Sequence, residues 1–326
     1  MRIAMMGSGG VGGYFGARLQ QGGADVTFIA RGAHLAAMRE SGLSIESGLS
    51  IESGLSIESA HTPIHLPKVK ATDDPASIGP VDIVLFSVKL WDTESAARTL
   101  KPIVGPHTGI ISLQNGVQKD DVLRTVFGAD AVMGGVAYMA TTIGRPGVIV
   151  QTGTMQRMVF GEYDGRHSPR AEALLAAARA GGINAEISDD IRRAIWEKYV
   201  FLVGMSGATT SMRRTLGPIR SNPHTRQFLL DLMRETVAVG RAQGVNLPEN
   251  FADQRMPFID GLPADMTASM HHDLQRGRPL EVRWLSGGVA EMGAAAGVPT
   301  PVNRAVYDVL ILHADGQGGD ATAPGQ

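Results

Sequence analysis

Near the start of the chain, the apolar stretch Ile3-Ala4-Met5-Met6 runs straight into Gly7-Ser8-Gly9-Gly10-Val11-Gly12-Gly13. Gly7, Gly9 and Gly12 fit the spacing G-x-G-x-x-G. In a strand–turn–helix setting each glycine has its own task. The first turns the chain tightly, the second lets backbone approach a pyrophosphate, and the third lets helix and strand pack closely. Backbone N–H groups at the helix start then face the phosphate oxygens, aided by the helix dipole. The motif alone is weak, but its setting is right: a strand before it, a helical stretch Gly10–Gln21 after it, and a second strand at Asp25–Ile29. We therefore read Gly7, Ser8, Gly9, Gly10, Val11 and Gly12 as a dinucleotide cradle, against the alternative of a glycine-rich turn with no ligand. The second strand ends in Ala30-Arg31-Gly32. An acid there would hold a ribose 2′-hydroxyl, whereas arginine suits the 2′-phosphate of NADP. NADP is the expected cofactor; a solvated surface arginine is the competing reading of Arg31.

The rest of the first half repeats the strand–helix rhythm. Strands are expected at Ile83–Ser87, Gly109–Ser112, Ala131–Ala137, Gly147–Gln151 and Arg157–Phe160, and helices at Thr93–Leu100 and Ser168–Ala180. Such alternation predicts a mostly parallel, doubly wound sheet with helices on both faces. From about residue 188 the pattern becomes helical only: Asp189–Ser211, with Ser188 or Asp189 as cap, then Thr225–Gln243, Ala264–Gln275, Val282–Ala296 and Val302–His313. The expected organisation is α/β, with a Rossmann-type domain over 1–188 and an all-helical domain over 189–314. A tail of Gly, Asp, Ala, Pro and Gln over 315–326 is expected to be disordered. The hexapeptide SGLSIE occurs three times in tandem from Ser41 to Glu58. Three copies are too few for a solenoid, so the repeat over 41–59 reads as a lengthened surface loop or hairpin without a functional role.

Composition narrows the chemistry. The chain has no cysteine, which removes disulfides, zinc thiolates and thiol nucleophiles. A net charge of −2 provides no basic field for nucleic acid or an anionic membrane. No apolar run approaches a membrane span, and the first strand begins too early to leave room for a signal peptide. The expectation is a cytoplasmic protein with a small anionic substrate. The nine histidines show no metal spacing. His271 and His272 adjoin on a helical stretch, point about 100° apart, and read as surface residues. The methionines read as core filler.

Four further stretches, in order along the chain, resemble the ketopantoate reductase (2-dehydropantoate 2-reductase) family. They are Phe86-Ser87-Val88-Lys89, Ser112-Leu113-Gln114-Asn115-Gly116-Val117, Ile195-Trp196-Glu197-Lys198, and Ser269-Met270-His271-His272-Asp273 followed by Glu281. The resemblance implies a helical second domain like that of 6-phosphogluconate dehydrogenase-type enzymes, with the active site in the cleft between the domains. It implies that Lys89 and Ala140 lie near the cofactor, that Asn115 touches both cofactor and substrate, and that Ser269 holds the substrate. Glu281 would bridge substrate and cofactor, and Lys198 would be the general acid. The chemistry suits a lysine. As hydride reaches the C2 carbonyl carbon of a 2-keto acid, the oxygen gains charge that an ammonium group can stabilise and protonate. Shelter beside a cofactor would lower the pKa of such a lysine. Taken singly, each residue also has a plain reading: a strand-end lysine, an Asn-Gly turn, an exposed helix lysine, a helix serine or a first-turn acid.

The chain also departs from the family. Where the family often has asparagines one and two turns after the catalytic lysine, and again before a downstream glycine, this chain has Leu202, Ser206 and Leu216. Ser206 is retained as a candidate substrate contact, and the two leucines are not. The expected function is thus NADPH-dependent reduction of a 2-keto acid, with 2-dehydropantoate to pantoate, a step toward pantothenate and coenzyme A, as first candidate. The alternatives are the same chemistry on another 2-keto acid or an imine, and a non-catalytic NADPH sensor, which would have no need of Lys198 or Glu281. A homodimer is left open.

Overall fold

The computed structural model describes residues 1–48 and 63–316. They fall into two compact units that divide between Ala194 and Ile195. The division falls a few residues after the change of pattern near 188, inside a helix that opens at Ile191.

The first unit carries strands β1 (Arg2–Met6), β2 (Asp25–Ile29), β3 (Leu43–Gly48), β4 (Ile64–Leu66), β5 (Lys70–Thr72), β6 (Val81–Phe86), β7 (Val104–Ser112), β8 (Val132–Arg145), β9 (Val148–Gly161) and β10 (Asn184–Ile187). Its helices are α1 (Gly10–Gln21), α2 (Gly32–Ser41), α3 (Thr93–Thr99), α4 (Lys119–Phe127) and α5 (Pro169–Ala180). The strand order is β4-β3-β9-β8-β7-β6-β1-β2-β5, with β10 also on β9. Pairing is parallel from β5 through β2, β1, β6 and β7 to β8. Side chains alternate between two cores, as the period of two along a strand requires. Ile3, Met5, Ile83, Leu85 and Ile111 face α1, α2 and α5 through Phe15, Leu19, Leu35, Met38 and Leu174. Their neighbours Ala4, Val84, Phe86 and Ile110 face α3 and α4 through Ala97, Leu100 and Leu123. Both faces are therefore covered, the condition under which a parallel sheet is stable.

Three expectations need correction here. The two strands expected at Gly147–Gln151 and Arg157–Phe160 are one, β9, and the strand expected to end at Ala137 runs on to Arg145. The two form a long antiparallel hairpin whose register shifts between Met139 and Thr141. Polar residues there (Thr141, Thr142, Gln151, Thr152) hide the alternation that a one-sequence reading depends on. The sheet is accordingly mixed. In the first SGLSIE copy, Leu43 and Ile45 are buried on β3, which pairs antiparallel with β4 and parallel with β9, so this part follows the hairpin reading and not the surface-loop one. The rest of the repeat, from residue 49 within the second copy, lies outside the described residues, as does the tail from 317. Helices α2 and α4 and strands β3, β4, β5 and β10 were not among the elements expected from the sequence.

The second unit is helical: α6 (Ile191–Met212), α7 (Leu216–Ser221), α8 (Pro223–Ala242), α9 (Phe251–Asp260), α10 (Ser269–Gln275), α11 (Ser286–Ala296) and α12 (Pro301–Leu310). The cap at the start of α6 is Asp190, whose carboxylate accepts from Arg193 N–H at 3.0 Å, rather than Ser188 or Asp189. A half-buried carboxylate-to-helix contact joins α8 to α12. Glu235 on α8 accepts the Val302 and Asn303 backbone N–H groups at the start of α12, each at 2.8 Å, and the Asn303 side chain as well. Helix N-termini favour such a charge.

Two helical expectations come out shorter. Residues 264–268 are not helical, because their backbone bonds elsewhere. The carbonyls of Ala264 and Met266 accept from Gly217 and Leu216 N–H, and Ala268 N–H donates to Thr209 Oγ1. The stretch expected from Val282 is split into a 3-10 turn at Glu281–Arg283 and α11.

Candidate functional site

In the first unit, candidate residues collect at the C-terminal ends of the parallel strands, where open α/β sheets bind ligands. Met6 lies level with Ile29 on one side and Phe86 on the other, and Phe86 is level with Ser112. Gly7, Arg31, Lys89 and Asn115 therefore leave the sheet from one edge. The ladder continues past the strand ends to hold the loops. Gly7 and Ser8 N–H donate to the Ile29 carbonyl at 3.3 and 3.2 Å, and Ser87 Oγ donates to the Gly7 carbonyl at 2.8 Å.

The glycines of this loop differ in what surrounds them. Gly7 has φ +90°, and a Cβ there would meet Val88 N at 2.8 Å. A Cβ on Gly12 would collide with the Gly7 carbonyl oxygen and Ser87 Oγ. One on Gly10 would come within 2.6 Å of the Thr141 carbonyl oxygen of β8. Around Gly9, which caps α1, nothing lies within 4 Å of an added Cβ. The loop is thus jammed against protein at its ends and open at its middle glycine. That opening is a cradle where a pyrophosphate would fit, beside first-turn amides that no helix satisfies internally.

His34 holds the cradle from below. Its Nε2–H donates to the Ser8 carbonyl at 2.9 Å, and its Nδ1 accepts from Gly147 N–H at 3.1 Å in the β8–β9 turn. Acceptance at Nδ1 requires the neutral ring with its proton on Nε2. Burial lowers the pKa of His34, opposed by the Ser8 contact. Ser8 Oγ is itself spent on the Ile29 carbonyl at 3.1 Å. Ala140 is exposed on β8, next to the Thr141 that abuts Gly10.

Asn115 is half-buried in a loop pinned at both ends. Gln114 donates to the Val88 carbonyl and to Thr93 Oγ1, each at 2.9 Å, tying this loop to the turn after β6. Beyond the loop, the fully buried Lys119 ammonium donates to the Ser112 carbonyl at 2.9 Å, the Gly135 carbonyl at 3.2 Å and the Asp120 carboxylate at 3.1 Å. Tyr163 donates to the same carboxylate at 2.6 Å. Burial pulls the Lys119 pKa down, against the attraction of Asp120.

In the second unit, Lys198 is half-buried on α6, Ser269 is exposed at the start of α10, and Glu281 is half-buried in its 3-10 turn. Tertiary hydrogen bonds join these three elements. Tyr199, the neighbour of Lys198, is buried edge-on against Trp196, and its hydroxyl lies 2.7 Å from the Trp284 carbonyl and 2.9 Å from that of Leu285. This anchors the Glu281 turn to the Lys198 helix. On α10, the His271 ring N–H donates to the Thr209 carbonyl of α6 at 2.8 Å. His271 is therefore a buried anchor, not the surface residue expected. Ser206 is fully enclosed, with its hydroxyl unpartnered among the described residues. Leu216 is also fully buried, in the core, while Leu202 is half-buried on α6. The anchoring roles of Tyr199, His271 and His34 were missed in the sequence, because no local pattern marks a side chain whose partner is a distant carbonyl. Among the described residues no cluster of His, Asp and Glu could hold a metal ion.

A glycine cradle at the C-terminal edge of a parallel sheet is the kind of site that takes a dinucleotide. Comparison with known proteins is more specific. The family model of ketopantoate reductase PanE/ApbA matches residues 3–165, and that of its C-terminal domain matches residues 190–314. The chain belongs to the ketopantoate reductase PanE/ApbA family, whose members are pyridine-nucleotide-dependent oxidoreductases acting on CH–OH groups. It is 31% identical to the 2-dehydropantoate 2-reductase of Mesorhizobium japonicum, over 95% of this chain and 97% of that protein. It is 29% identical to an uncharacterized oxidoreductase, YkpB, of Bacillus subtilis, over 96% and 99%. The crystal structure of 2-dehydropantoate 2-reductase from Geobacter metallireducens superposes with a TM-score of 0.85 at 31% identity, covering 95% of this chain and 99% of that one. A D-mandelate dehydrogenase solved with NADH shares the fold at 19% identity and a TM-score of 0.82. No helix among the described residues is long and apolar enough to cross a membrane.

Proposed function

We propose that this chain reduces a 2-keto acid to its 2-hydroxy acid with NADPH, and that 2-dehydropantoate, giving pantoate, is the first substrate to test. NADPH, when bound, supplies the hydride. The cradle of Gly7, Ser8, Gly9, Gly10, Val11 and Gly12 holds its pyrophosphate, Arg31 its 2′-phosphate, and Lys89, Asn115 and Ala140 lie along the rest of it. The ammonium of Lys198 stabilises the charge that grows on the keto oxygen and delivers the proton there. Glu281 accepts a hydrogen bond from the hydroxyl so formed and orients the cofactor. Ser269 donates to the substrate carboxylate, and Asn115 offers its amide to the substrate as donor and acceptor.

The observation that carries this reading is the Tyr199 anchor. It couples the position of Glu281 to that of Lys198 across 85 residues of sequence. A protein that only sensed NADPH would gain nothing from a proton donor and a carboxylate held in fixed register. Another 2-keto acid is the second reading. Leu202 and the buried Leu216 cannot give the hydrogen bonds that asparagines would, each worth about 1–3 kcal/mol, and Ser206 would reach substrate only if its helix face opened.

Steady-state NADPH oxidation with ketopantoate and a panel of other 2-keto acids tests the proposal. Lys198→Ala should lower kcat by about 10²–10⁴-fold and leave NADPH binding nearly unchanged. Turnover that survives the substitution would show that Lys198 is not the acid.

A further inference from the structure

Arg31 does not stand alone at the edge of the sheet. Its guanidinium Nη2 lies 3.7 Å from Oδ2 of Asp92, in the turn that follows β6. The two side chains differ in freedom. Arg31 caps α2 and its side chain is 83% exposed. Asp92 is 36% exposed and sits on the 3-10 turn Leu90–Asp92. That turn is fixed: Asp92 N–H donates to the Lys89 carbonyl at 3.0 Å, Thr93 Oγ1 donates to the Leu90 carbonyl at 2.7 Å, and Gln114 holds Thr93 from the β7 loop. A long flexible cation therefore faces a carboxylate presented from a rigid turn, at a separation too large for a hydrogen bond.

We propose that Asp92 is a nucleotide-specificity residue, and that the Arg31–Asp92 pair makes this chain accept NADH as well as NADPH. The inference rests on the proposed dinucleotide site. Two adenosine ribose substituents would meet the pair differently. A bare 2′-hydroxyl is a hydrogen-bond donor, ordinarily taken by an acid at the end of the second strand; here that place holds Arg31, and the Asp92 carboxylate facing it from the turn after β6 would be the acceptor. A 2′-phosphate gains Arg31 but must first draw it away from Asp92, and then stands beside an uncompensated negative charge. Repulsion between the carboxylate and a phosphate held by Arg31 in a water-rich site would weaken binding by roughly five- to tenfold. Arginine alone would favour the phosphate strongly, and Asp92 offsets much of that preference.

The test is a fluorescence titration of the full chain with NADPH and with NADH, in the absence of any keto acid. The parent protein should bind both, with dissociation constants within about tenfold of one another. In Asp92→Asn, which keeps the side-chain shape and removes the charge, the ratio Kd(NADH)/Kd(NADPH) should rise about tenfold, chiefly through tighter NADPH binding. Asp92→Ser should shift the ratio the same way. The shift should shrink between about 50 mM and about 500 mM salt, since exposed charges are screened. Arg31→Ala should move the ratio in the opposite direction. A ratio in both Asp92 variants within about twofold of the parent, or weaker NADPH binding in them, would overturn the inference and leave the reductase reading standing. A parent protein that binds neither nucleotide would overturn both.

Discussion

Replacing Gly9 by alanine separates what the glycine loop does for folding from what it does for a ligand. Gly9 has φ −72° and ψ −158°, a conformation alanine adopts without strain, and its added methyl would meet no protein atom within 4 Å. Two small opposing effects act on stability. Alanine restricts the unfolded chain, which stabilises by about 0.4–1 kcal/mol, and it is a poorer helix cap than glycine by a similar amount. The net change should be within about 0.5 kcal/mol, or about 1–2 °C in Tm. Nucleotide binding should respond far more. A methyl in the cradle lifts a pyrophosphate off the loop amides, and each charged hydrogen bond lost costs about 1.5–3 kcal/mol. NADPH affinity should fall roughly 10- to 100-fold. Gly12→Ala is the contrast. Its methyl collides with the Gly7 carbonyl and Ser87 Oγ, so the fold itself should lose about 1–3 kcal/mol. Thermal melts and fluorescence titrations on the two variants read both quantities. An NADPH dissociation constant in Gly9→Ala within about threefold of the parent, with the melt unchanged, would refute the idea that phosphate sits on this glycine.

Tyr199→Phe removes the hydroxyl that bonds the Trp284 and Leu285 carbonyls. Stability should fall by about 1–2 kcal/mol and kcat should fall while NADPH affinity holds; an unchanged kcat would disconnect Tyr199 from the placement of Glu281. Glu235→Ala leaves two α12 amides without their acceptor and the buried Asn303 side chain with the Leu232 carbonyl alone, and urea unfolding should show a loss of about 2–4 kcal/mol; a loss below about 1 kcal/mol would mean that water replaces the carboxylate. His34 has its pKa lowered by burial, so the neutral ring is the folded-state form. Its contribution is fully present above the ordinary histidine value and is lost as pH falls through that value toward the lowered folded one. Melts between about pH 7.5 and about pH 5 should show a decline that is shallower in His34→Gln, and equal slopes in the two proteins would remove His34 from the account.

Much of the first unit could be read from short-range pattern. The alternation of Ile3, Ala4 and Met5 and of Ile83, Val84, Leu85 and Phe86 marks two-faced strands, and these residues do divide between the two cores. Residue types also mark the candidate site. Glycines spaced for a phosphate loop, an arginine after β2 and a lysine in a tryptophan-bearing helix are local signals, because strand and helix periods and tight turns are themselves local physics. Long-range hydrogen bonds leave no such trace. The β8–β9 hairpin extends through polar residues because each strand completes the other's ladder. Residues 264–268 give up a helix because α6 and α7 compete for their backbone groups. In the same way His271 turned inward to a carbonyl 62 residues away, Ser206 became enclosed, and Asp92 came to stand opposite Arg31. Sequence by itself determined the kind of units and most of the candidate groups. Tertiary structure decided which of those groups are held in fixed relation within each unit, because that depends on partners whose distance along the chain carries no periodic signal.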